Sequence, residues 1–329
     1  MKTALITGSA GFIGYHLAER WLAEGWRVVG VDSFSDYYDP ALKRARSERL
    51  RRSDAYVEVE GKIETPDLLA GLFELHKPDQ VLHLAAQAGV RHSIEAPRTY
   101  VESNLKGTFE LLEAARAHPP AHMLLASTSS VYGANAEMPY AEDHKADSPM
   151  SFYAATKKAT EAMAHSYAHL YDLPTTMFRF FTVYGPWGRP DMAPMLFADA
   201  ILNDHPIKVF NHGKMKRDFT FVDDLAEAVW RLSVALPASG AEGASDAAPF
   251  RVVNIGKSEP DPLFDFIKEM ENALGKDAKK NMMDMQPGDV PATWADTSLL
   301  EKVTGYRPET PLSKGIPAFA DWYLEYFDR

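Results

Sequence analysis

The chain lacks cysteine altogether, which excludes disulfides, thiolate nucleophiles and cysteine-bound metals. No apolar run approaches the roughly 20 residues of a membrane-spanning helix, and Gly8 interrupts the first apolar residues too early for a signal peptide. Basic residues are outnumbered by acidic ones, 35 to 46, and the net charge of −11 argues against nucleic acid or an anionic membrane as the main partner. The 11 histidines show no metal-ligand spacing, so no metal is expected. We therefore expect a cytoplasmic protein.

A pattern typical of dinucleotide binding stands at the start of the chain. The apolar run Ala4-Leu5-Ile6 predicts a buried strand, and Gly8, Gly11 and Gly14 follow it where a helical segment begins. Glycines at this spacing allow a sharp turn, a close approach to a pyrophosphate and tight packing of helix on strand. A second apolar strand ends at Asp32, whose carboxylate suits ribose hydroxyls and would repel a 2′-phosphate. The unit predicts binding of NAD rather than NADP.

A tyrosine and a lysine four residues apart, Tyr153 and Lys157, form the second informative pattern. If the segment is helical, both side chains face the same way. An ammonium beside a phenol favours the phenolate and lowers a pKa that is about 10 in an unperturbed tyrosine. Thr128 could share the same substrate hydroxyl. The pattern predicts a proton acceptor that works near neutral pH, although this spacing also occurs by chance on surface helices.

Strands and helices alternate over about 180 residues, which is typical of a doubly wound parallel sheet. The predicted strands are Thr3–Thr7, Arg27–Val31, Ala55–Val59, Gln80–Leu84, His122–Ser127 and Thr175–Phe181. The predicted helices include Pro40–Arg51, Pro66–His76, Pro97–Ala117 and Tyr153–Tyr171. Proline and glycine then break the pattern. We expect an α/β fold with a Rossmann-type NAD-binding domain over residues 1–181 and a smaller α/β nucleotide-sugar domain over residues 182–329, from which the chain can cross back to the first domain.

Longer sequence blocks add a family resemblance to these motifs. Over essentially its whole length the chain resembles nucleotide-sugar epimerases of the extended short-chain dehydrogenase/reductase superfamily, and within that group it is most similar to UDP-glucuronate 4-epimerases. Several blocks of this kind are more specific than any single short motif. The blocks that carry the resemblance are Asp36–Pro40, Ala85–Arg91, Arg179–Met192, Gly213–Thr220 and Met285–Val290.

The resemblance implies a mechanism and the residues that perform it. Tyr153 would remove the proton of the sugar 4-hydroxyl while C4 passes hydride to tightly held NAD, and the 4-keto sugar would rotate and take the hydride back on its other face. Lys157 would lower the pKa of Tyr153 and bind the nicotinamide ribose, and Thr128 would orient the hydroxyl. The implied NAD-binding residues are Gly8, Gly11, Phe12, Ile13, Gly14, Asp32, Ser33, Lys43, Ile63, Leu84, Ala85, Ala86, Gln87, Asn104, Tyr153, Lys157 and Phe180.

Ser129 and Ser130 distinguish the chemistries of the relatives. Related sugar dehydratases carry Asp-Glu at these positions and decarboxylating relatives carry Glu at the second, so two hydroxyls favour epimerisation. With Thr182 they could bind the C5 carboxylate and hold it out of alignment with the 4-ketone, because a β-keto acid otherwise loses CO₂. The further implied substrate residues are Tyr153, Arg189 for the nucleotide or a closing loop, Val209 and Phe210 for uracil, Arg217 for the diphosphate, and Gln286 and Asp289 for the uridine ribose and phosphate.

Two positions depart from the family pattern. Lys62 stands where relatives carry an Asp that accepts a hydrogen bond from adenine, and lysine has no acceptor. We therefore expect the Ile63 backbone to hold adenine, or NAD to bind less tightly. Ser33 replaces a more frequent Asn beside Asp32, which is a milder change.

The resemblance also implies an assembly, because relatives pack the Tyr153 helix and the long helix before it into a four-helix bundle between two subunits. We accordingly expect a homodimer, and burial of these helices in the chain's own core is the alternative. For function, a UDP-glucose/UDP-galactose 4-epimerase is the nearest alternative. A non-catalytic NAD-binding scaffold is a more distant one, against which the intact set of Thr128, Tyr153 and Lys157 argues.

Overall fold

A seven-stranded sheet is the centre of the computed structural model, which describes residues 1–285 and 291–329. The described strands are β1 (Thr3–Thr7), β2 (Arg27–Asp32), β3 (Tyr56–Glu60), β4 (Gln80–His83), β5 (His122–Thr128), β6 (Thr175–Phe180), β7 (Thr182–Tyr184), β8 (Ile207–Val209), β9 (Lys216–Arg217), β10 (Phe219–Phe221), β11 (Phe250–Ile255), β12 (Asp261–Pro262), β13 (Lys280–Met282) and β14 (Ala292–Thr293). The central sheet has the order β11-β6-β5-β4-β1-β2-β3, and every neighbouring pair in it is parallel. The order reverses between β4 and β1, and such a switch point places a ligand crevice beyond the carboxyl ends of the strands.

The helices connect and cover these strands. They are α1 (Phe12–Ala23), α2 (Pro40–Leu50), α3 (Leu68–His76), α4 (His92–Glu95), α5 (Pro97–Tyr100), α6 (Gly107–Ala117), α7 (Phe152–Tyr171), α8 (Ala193–Leu202), α9 (Val222–Val234), α10 (Leu263–Leu274), α11 (Ser298–Thr304) and α12 (Leu312–Tyr326), with a π-helical segment, Val101–Lys106, between α5 and α6. Side-chain caps fix two helix starts near the cleft described below. The Asp39 carboxylate accepts from the N–H of Ala41 at 2.9 Å, and the Ser151 hydroxyl accepts from the N–H of Ala154 at 3.1 Å.

Apolar side chains pack on both faces of the central sheet. One core gathers buried residues of α1, α9 and α11, such as Trp21, Val229 and Leu300, and the other gathers residues of α3, α6 and α7, such as Phe73 and Leu111. A third core joins α8, α10 and α12 and is built mainly from the chain after residue 181. Burial of these faces, rather than helix propensity, is the main source of helix stability in such a fold.

The predicted α/β fold with a doubly wound parallel sheet is confirmed. The six predicted strands lie within one residue of their observed ends. The predicted helix Pro97–Ala117 is wrong as a single element, because the π-helical segment divides it. The seventh strand, β11, was not predicted, and it pairs with β6, so the chain does cross back to the first sheet. The division between residues 181 and 182 stays a prediction.

Over residues 1–285 and 291–329, no helix combines the length and apolarity needed to cross a bilayer.

Candidate active site

A cleft of about 860 Å³ opens at the carboxyl ends of the central strands. Each of β1 to β6 contributes to its lining at the strand's end or just beyond it. These six residues are Gly8, Asp32, Gly61, Leu84, Thr128 and Phe180. All the residues predicted to bind NAD line this cleft except Asn104, and Thr128 and Arg189 line it as well. The structure therefore brings the predicted cofactor residues and the predicted catalytic residues together in one cavity.

The glycine loop between β1 and α1 leaves no room for side chains. A Cβ on Gly14 would lie 2.0 Å from the carbonyl oxygen of Gly8, and a Cβ on Gly8 would lie 2.7 Å from the amide nitrogen of Ala85. Gly8 also has a φ of +73°, which disfavours other residues. Helix α1 begins at Phe12 with no side-chain cap from Gly11, so its first N–H groups are available to a phosphate. This backbone cradle fits the pyrophosphate of NAD.

Backbone N–H groups orient the predicted ribose-binding carboxylate. Asp32 accepts from Ala10 at 3.1 Å and from Phe34 at 2.8 Å, through different oxygen atoms. Lys43 donates to the Ser35 hydroxyl at 2.8 Å; burial lowers the pKa of Lys43, and the Asp32 charge opposes that effect. Lys62, the departure from the family pattern, also lines the cleft.

Asn104 takes part in the site without lining the cleft. Its side-chain oxygen accepts from the N–H of Gln87 at 2.8 Å, and its amide donates to the Gln87 carbonyl at 3.2 Å. The same amide donates to the Thr156 hydroxyl at 3.0 Å, and Thr156 lies between Tyr153 and Lys157 on α7. The wider π-helical turn around Asn104 therefore connects the loop after β4 with the helix that carries the catalytic pair. The predicted direct contact of Asn104 with NAD stays a prediction.

Thr128, Tyr153 and Lys157 meet at the floor of the cleft. Burial raises the pKa of Tyr153, while a hydrogen bond with Thr128 and the positive charge of Arg189 act in the opposite direction. Burial lowers the pKa of Lys157 to about 8, against an opposing effect of Glu161. All three residues line the cleft as expected, but the predicted lowering of the Tyr153 pKa is wrong, because that pKa is raised. Burial dominates, and Arg189 is a cation that acts on the phenol.

A buried ion pair supports this floor. Glu161, one turn after Lys157, accepts from Arg179 of β6 through two hydrogen bonds of 2.9 Å and from the Ser127 hydroxyl at 2.7 Å. Although burial opposes it, Arg179 lowers the pKa of Glu161 to about 2. Such bidentate pairs are stronger than ordinary hydrogen bonds. Sequence reasoning did not find this pair; an arginine at a predicted strand position and a glutamate one turn after Lys157 were its only signals.

Several predicted substrate residues lie outside this cleft. Among the described residues, those predicted for the sugar acid, the uracil and the diphosphate that do not line it are Ser129, Ser130, Thr182, Val209, Phe210 and Arg217. Ser129 and Ser130 directly follow the lining residue Thr128, whose hydroxyl donates to that of Ser130 at 3.2 Å. Gln286 and Asp289 lie outside the described residues. The roles of all eight residues stay predictions.

Arg189 is held at the cleft wall by an acidic partner. Its guanidinium donates to the two carboxylate oxygens of Asp191 at 3.0 and 2.5 Å. The hydroxyl of Tyr37, which also lines the cleft, donates to the same carboxylate at 3.2 Å. Asp191 and Tyr37 belong to the sequence blocks that carry the family resemblance, but those blocks do not predict this contact. A metal-binding cluster of three or more His, Asp or Glu side chains does not occur in residues 1–285 and 291–329.

Replacing Gly14 by alanine tests the cradle. We expect Gly14→Ala to abolish measurable NAD binding by calorimetry, because its Cβ would overlap the Gly8 carbonyl. Gly71→Ala is the matched control: a Cβ there meets nothing within 4 Å, and Gly71 lies inside α3. The control should bind NAD normally and gain up to about 1 kcal/mol of stability. Tight NAD binding by folded Gly14→Ala would contradict the assignment of the glycine loop to the pyrophosphate.

Comparisons with known proteins agree with this site. A family model described as the NAD dependent epimerase/dehydratase family matches residues 4–256. A probable UDP-glucuronate 4-epimerase of Rhizobium meliloti is 50% identical over 333 residues, covering 99% of this chain and 98% of that protein. UDP-glucuronate 4-epimerase 4 of Arabidopsis thaliana is 46% identical over 332 residues, covering 99% of this chain and 76% of that protein.

A solved structure extends the similarity to the whole fold. The UDP-glucuronic acid 4-epimerase of Bacillus cereus, in complex with UDP-glucuronic acid and NAD, superposes with a TM-score of 0.87 at 35% identity. The superposition covers 98% of this chain and 99% of that one. The chain therefore belongs to the NAD dependent epimerase/dehydratase family.

Proposed function

We propose that the protein interconverts UDP-glucuronate and UDP-galacturonate by inverting carbon 4 of the sugar, with NAD as a resident cofactor. One observation carries the proposal: Thr128, Tyr153 and Lys157 meet in the same cleft as a glycine cradle and a ribose-binding carboxylate. The full-length similarity to UDP-glucuronate 4-epimerases supports the choice of substrate.

The residues of the cleft divide the chemistry between them. NAD, held by the glycine cradle and Asp32, would supply the hydride acceptor for oxidation of C4 and the hydride donor for its reduction on the opposite face. The phenol oxygen of Tyr153 takes the proton of the 4-hydroxyl and later gives it back, and Thr128 orients that hydroxyl. Lys157, with a pKa of about 8, is mostly protonated at pH 7 and stabilises the phenolate. The glycine cradle and Asp32 hold the cofactor, so that the sugar turns while the cofactor stays in place.

The residues that follow Thr128 suit an epimerase. Ser129 and Ser130 supply hydroxyls at positions where elimination of water or acid-assisted decarboxylation would need carboxyl groups. With Thr182, they bind the C5 carboxylate of the oxidised sugar and keep it out of line with the ketone. Arg217 and the backbone of Val209 and Phe210 bind the nucleotide, together with Gln286 and Asp289.

Product analysis with two sugars tests the proposed activity. The purified protein is incubated separately with UDP-glucuronate and UDP-glucose, without added cofactor and then with NAD, and products are identified by NMR. We expect UDP-galacturonate from the first sugar and little product from the second. If only UDP-glucose is converted, the protein is a UDP-glucose 4-epimerase and our proposal is wrong.

Tyr153→Phe tests the proposed proton acceptor. It should lower turnover by about 10²–10⁴-fold, the usual contribution of a proton-transfer residue. Undiminished turnover would contradict this mechanism.

Ser130→Ala tests the proposed carboxylate contacts. Loss of one hydroxyl should weaken binding of UDP-glucuronate by about tenfold or less, as for a single hydrogen bond. It should also raise the fraction of a UDP-pentose, the product of CO₂ loss, among the products. If the affinity and the ratio of epimer to pentose both stay at wild-type values, the serine has no such role.

We infer that the protein forms a homodimer through α7 and the helical segments before it. Leu170 on α7 and Phe109 on α6 are 63% and 44% exposed, which leaves apolar area available for a bundle of four helices.

A cytoplasmic location stays a prediction and rests on the proposed use of NAD and a nucleotide sugar.

Leu170→Asp tests the dimer. A charge buried at the interface should convert the dimer to a monomer in sedimentation at micromolar concentration, because an unpaired buried charge costs several kcal/mol. Leu75→Asp is the control, since Leu75 is an equally large side chain, 73% exposed, on α3. A monomeric wild type, or a dimer unaffected by Leu170→Asp, would contradict this arrangement.

A further inference from the structure

Three consecutive carbonyl groups of one cleft-side turn are bound by side chains from α1 and α2. The segment Gly185–Arg189, here called the Arg189 turn, precedes Asp191 and ends in the arginine that lines the cleft. The ring of His16 lies 2.9 Å, through Nε2, from the carbonyl oxygen of Pro186. The guanidinium of Arg46 donates to the carbonyls of Trp187 at 2.6 Å and Gly188 at 3.1 Å.

Arg46 connects this turn to the cofactor loop. Its other terminal nitrogen donates to the carbonyl of Ala10 at 2.9 Å and to the Tyr38 hydroxyl at 3.1 Å. Ala10 is the glycine-loop residue whose N–H orients Asp32. Arg46 is fully buried, and these partners are neutral carbonyls and a phenol. A planar fork with several fixed donors can bind two loops at once, which a lysine cannot reproduce.

The Arg189 turn needs such support because its backbone is unusual. Trp187 has a φ of +62°, a conformation that costs free energy in a residue other than glycine, and Gly185 has a φ of +145°, which glycine adopts readily. The Trp187 ring packs against Tyr15 of α1 and against Trp322 and Tyr326 of α12. The turn is therefore held by side chains from three helices.

His16 adds a second contact, and its ring stays uncharged near neutral pH. Burial lowers its pKa to about 4, so the imidazole is neutral and its Nε2–H can donate to the Pro186 carbonyl. The ring packs edge-on against Phe12 and Tyr15, at 5.7 and 5.1 Å between ring centres. Phe12 itself lines the cleft beside the glycine loop.

The position of Arg189 matters because it faces the proton acceptor. Its positive charge acts on the Tyr153 phenol, and both side chains line the cleft. A sugar whose 4-hydroxyl reaches Tyr153 therefore lies close to Arg189. A shift of the Arg189 turn would change the space and the charge beside the ring carrying the C5 carboxylate.

We propose that Arg46, assisted by His16, is a positioning residue that decides the fate of the oxidised sugar acid by fixing the Arg189 turn relative to the cofactor loop. The proposal rests on the proposed epimerase function. When the turn is fixed, the ketone is reduced before its carboxylate can align with it. When the turn is free, the carboxylate can rotate into alignment and leave.

The competing reaction is decarboxylation. The bond between C5 and the carboxyl carbon breaks, CO₂ leaves, and the electron pair forms the C4–C5 enolate. A proton from water then adds at C5 to give a UDP-4-ketopentose. Return of hydride to C4 converts this ketone to a UDP-pentose, so the ratio of UDP-pentose to UDP-galacturonate reports the competition.

Arg46→Met is the decisive variant, and Arg44→Met is its control. Arg44 lies two residues earlier on α2, is half exposed and pairs with Glu60, away from the Arg189 turn. Each protein receives excess NAD and UDP-glucuronate, and sugar products are counted by NMR. We expect Arg46→Met to raise the ratio of pentose to epimer about tenfold or more, equivalent to about 1.4 kcal/mol between two barriers. Arg46→Lys should give an intermediate ratio, and Arg44→Met the wild-type ratio.

A binding measurement separates positioning from general damage. In a Tyr153→Phe background, which blocks turnover, calorimetry compares UDP-glucuronate with UDP-glucose. We expect Arg46→Met to reduce the preference for the sugar acid at least about threefold while both nucleotides still bind. A lower rate at an unchanged product ratio and unchanged preference would show a merely structural role and overturn the proposal.

A second variant covers a failure of Arg46→Met to fold. His16→Phe keeps a ring between Phe12 and Tyr15, removes the donor to the Pro186 carbonyl and gives up the 3.9 Å approach of Nδ1 to the exposed Asp223 carboxylate, so the pentose ratio should rise by about threefold. An unchanged ratio in folded His16→Phe would then overturn the proposal. The wild-type reaction distinguishes the proposed function from the proposed role of Arg46. If wild type forms no UDP-galacturonate, the proposed function is wrong. If wild type forms it normally and the variants leave the ratio of pentose to epimer unchanged, only the role of Arg46 is wrong.

Discussion

The buried pair of Glu161 and Arg179 is the interaction on which the catalytic floor depends. Tyr153 and Lys157 lie on α7, and the cofactor cradle belongs to the sheet, so the chemistry requires that helix and sheet keep one relative position. Apolar packing alone permits small shifts of a helix along a sheet. The two hydrogen bonds between Glu161 and Arg179 join α7 to β6, and Ser127 adds β5. Separating Glu161 from Arg179 would leave an uncompensated buried charge, so any shift of α7 that lengthens these hydrogen bonds is costly.

The same constraint recurs in the loops that close the cleft. Loops at strand ends leave backbone N–H and C=O groups without sheet partners, and these must be satisfied if the loops are partly buried. Asn104 does this for Gln87, and Arg46 does it for Ala10, Trp187 and Gly188. Satisfying a loop's backbone with a rigid side chain also fixes the loop's position. The cleft is therefore preorganised in part by Asn104 and Arg46, side chains that do not line it.

The sequence predicted the parts of this structure that follow from local patterns. Apolar runs predicted the six strands, and the glycine spacing, Asp32 and the spacing of Tyr153 and Lys157 predicted residues that line the cleft; both are observed. The other expected lining residues came from the family resemblance. The π-helical segment was missed because the apolar pattern of Pro97–Ala117 gives no sign of it; Asn104 within the segment binds Gln87, 17 residues earlier in the chain. Strand β11 was missed because it follows a long irregular region. The contacts that fix the Arg189 turn could not be predicted from the sequence either, since His16 and Arg46 bind backbone groups more than 100 residues away.

The electrostatics of the site follow from burial more than from any one neighbour. Water must be kept from an oxidised sugar, and the enclosure that does this also disfavours charge on Tyr153 and on Lys157. The pKa of the phenol rises above its usual value and that of the ammonium falls to about 8, so the two pKa values move apart. Removal of the substrate proton by Tyr153 therefore needs a neighbouring positive charge that offsets the effect of burial. The positive charge of Arg189 opposes the effect of burial and favours the phenolate. That effect depends on distance, so the turn that holds Arg189 in place also sets how far the charge offsets burial.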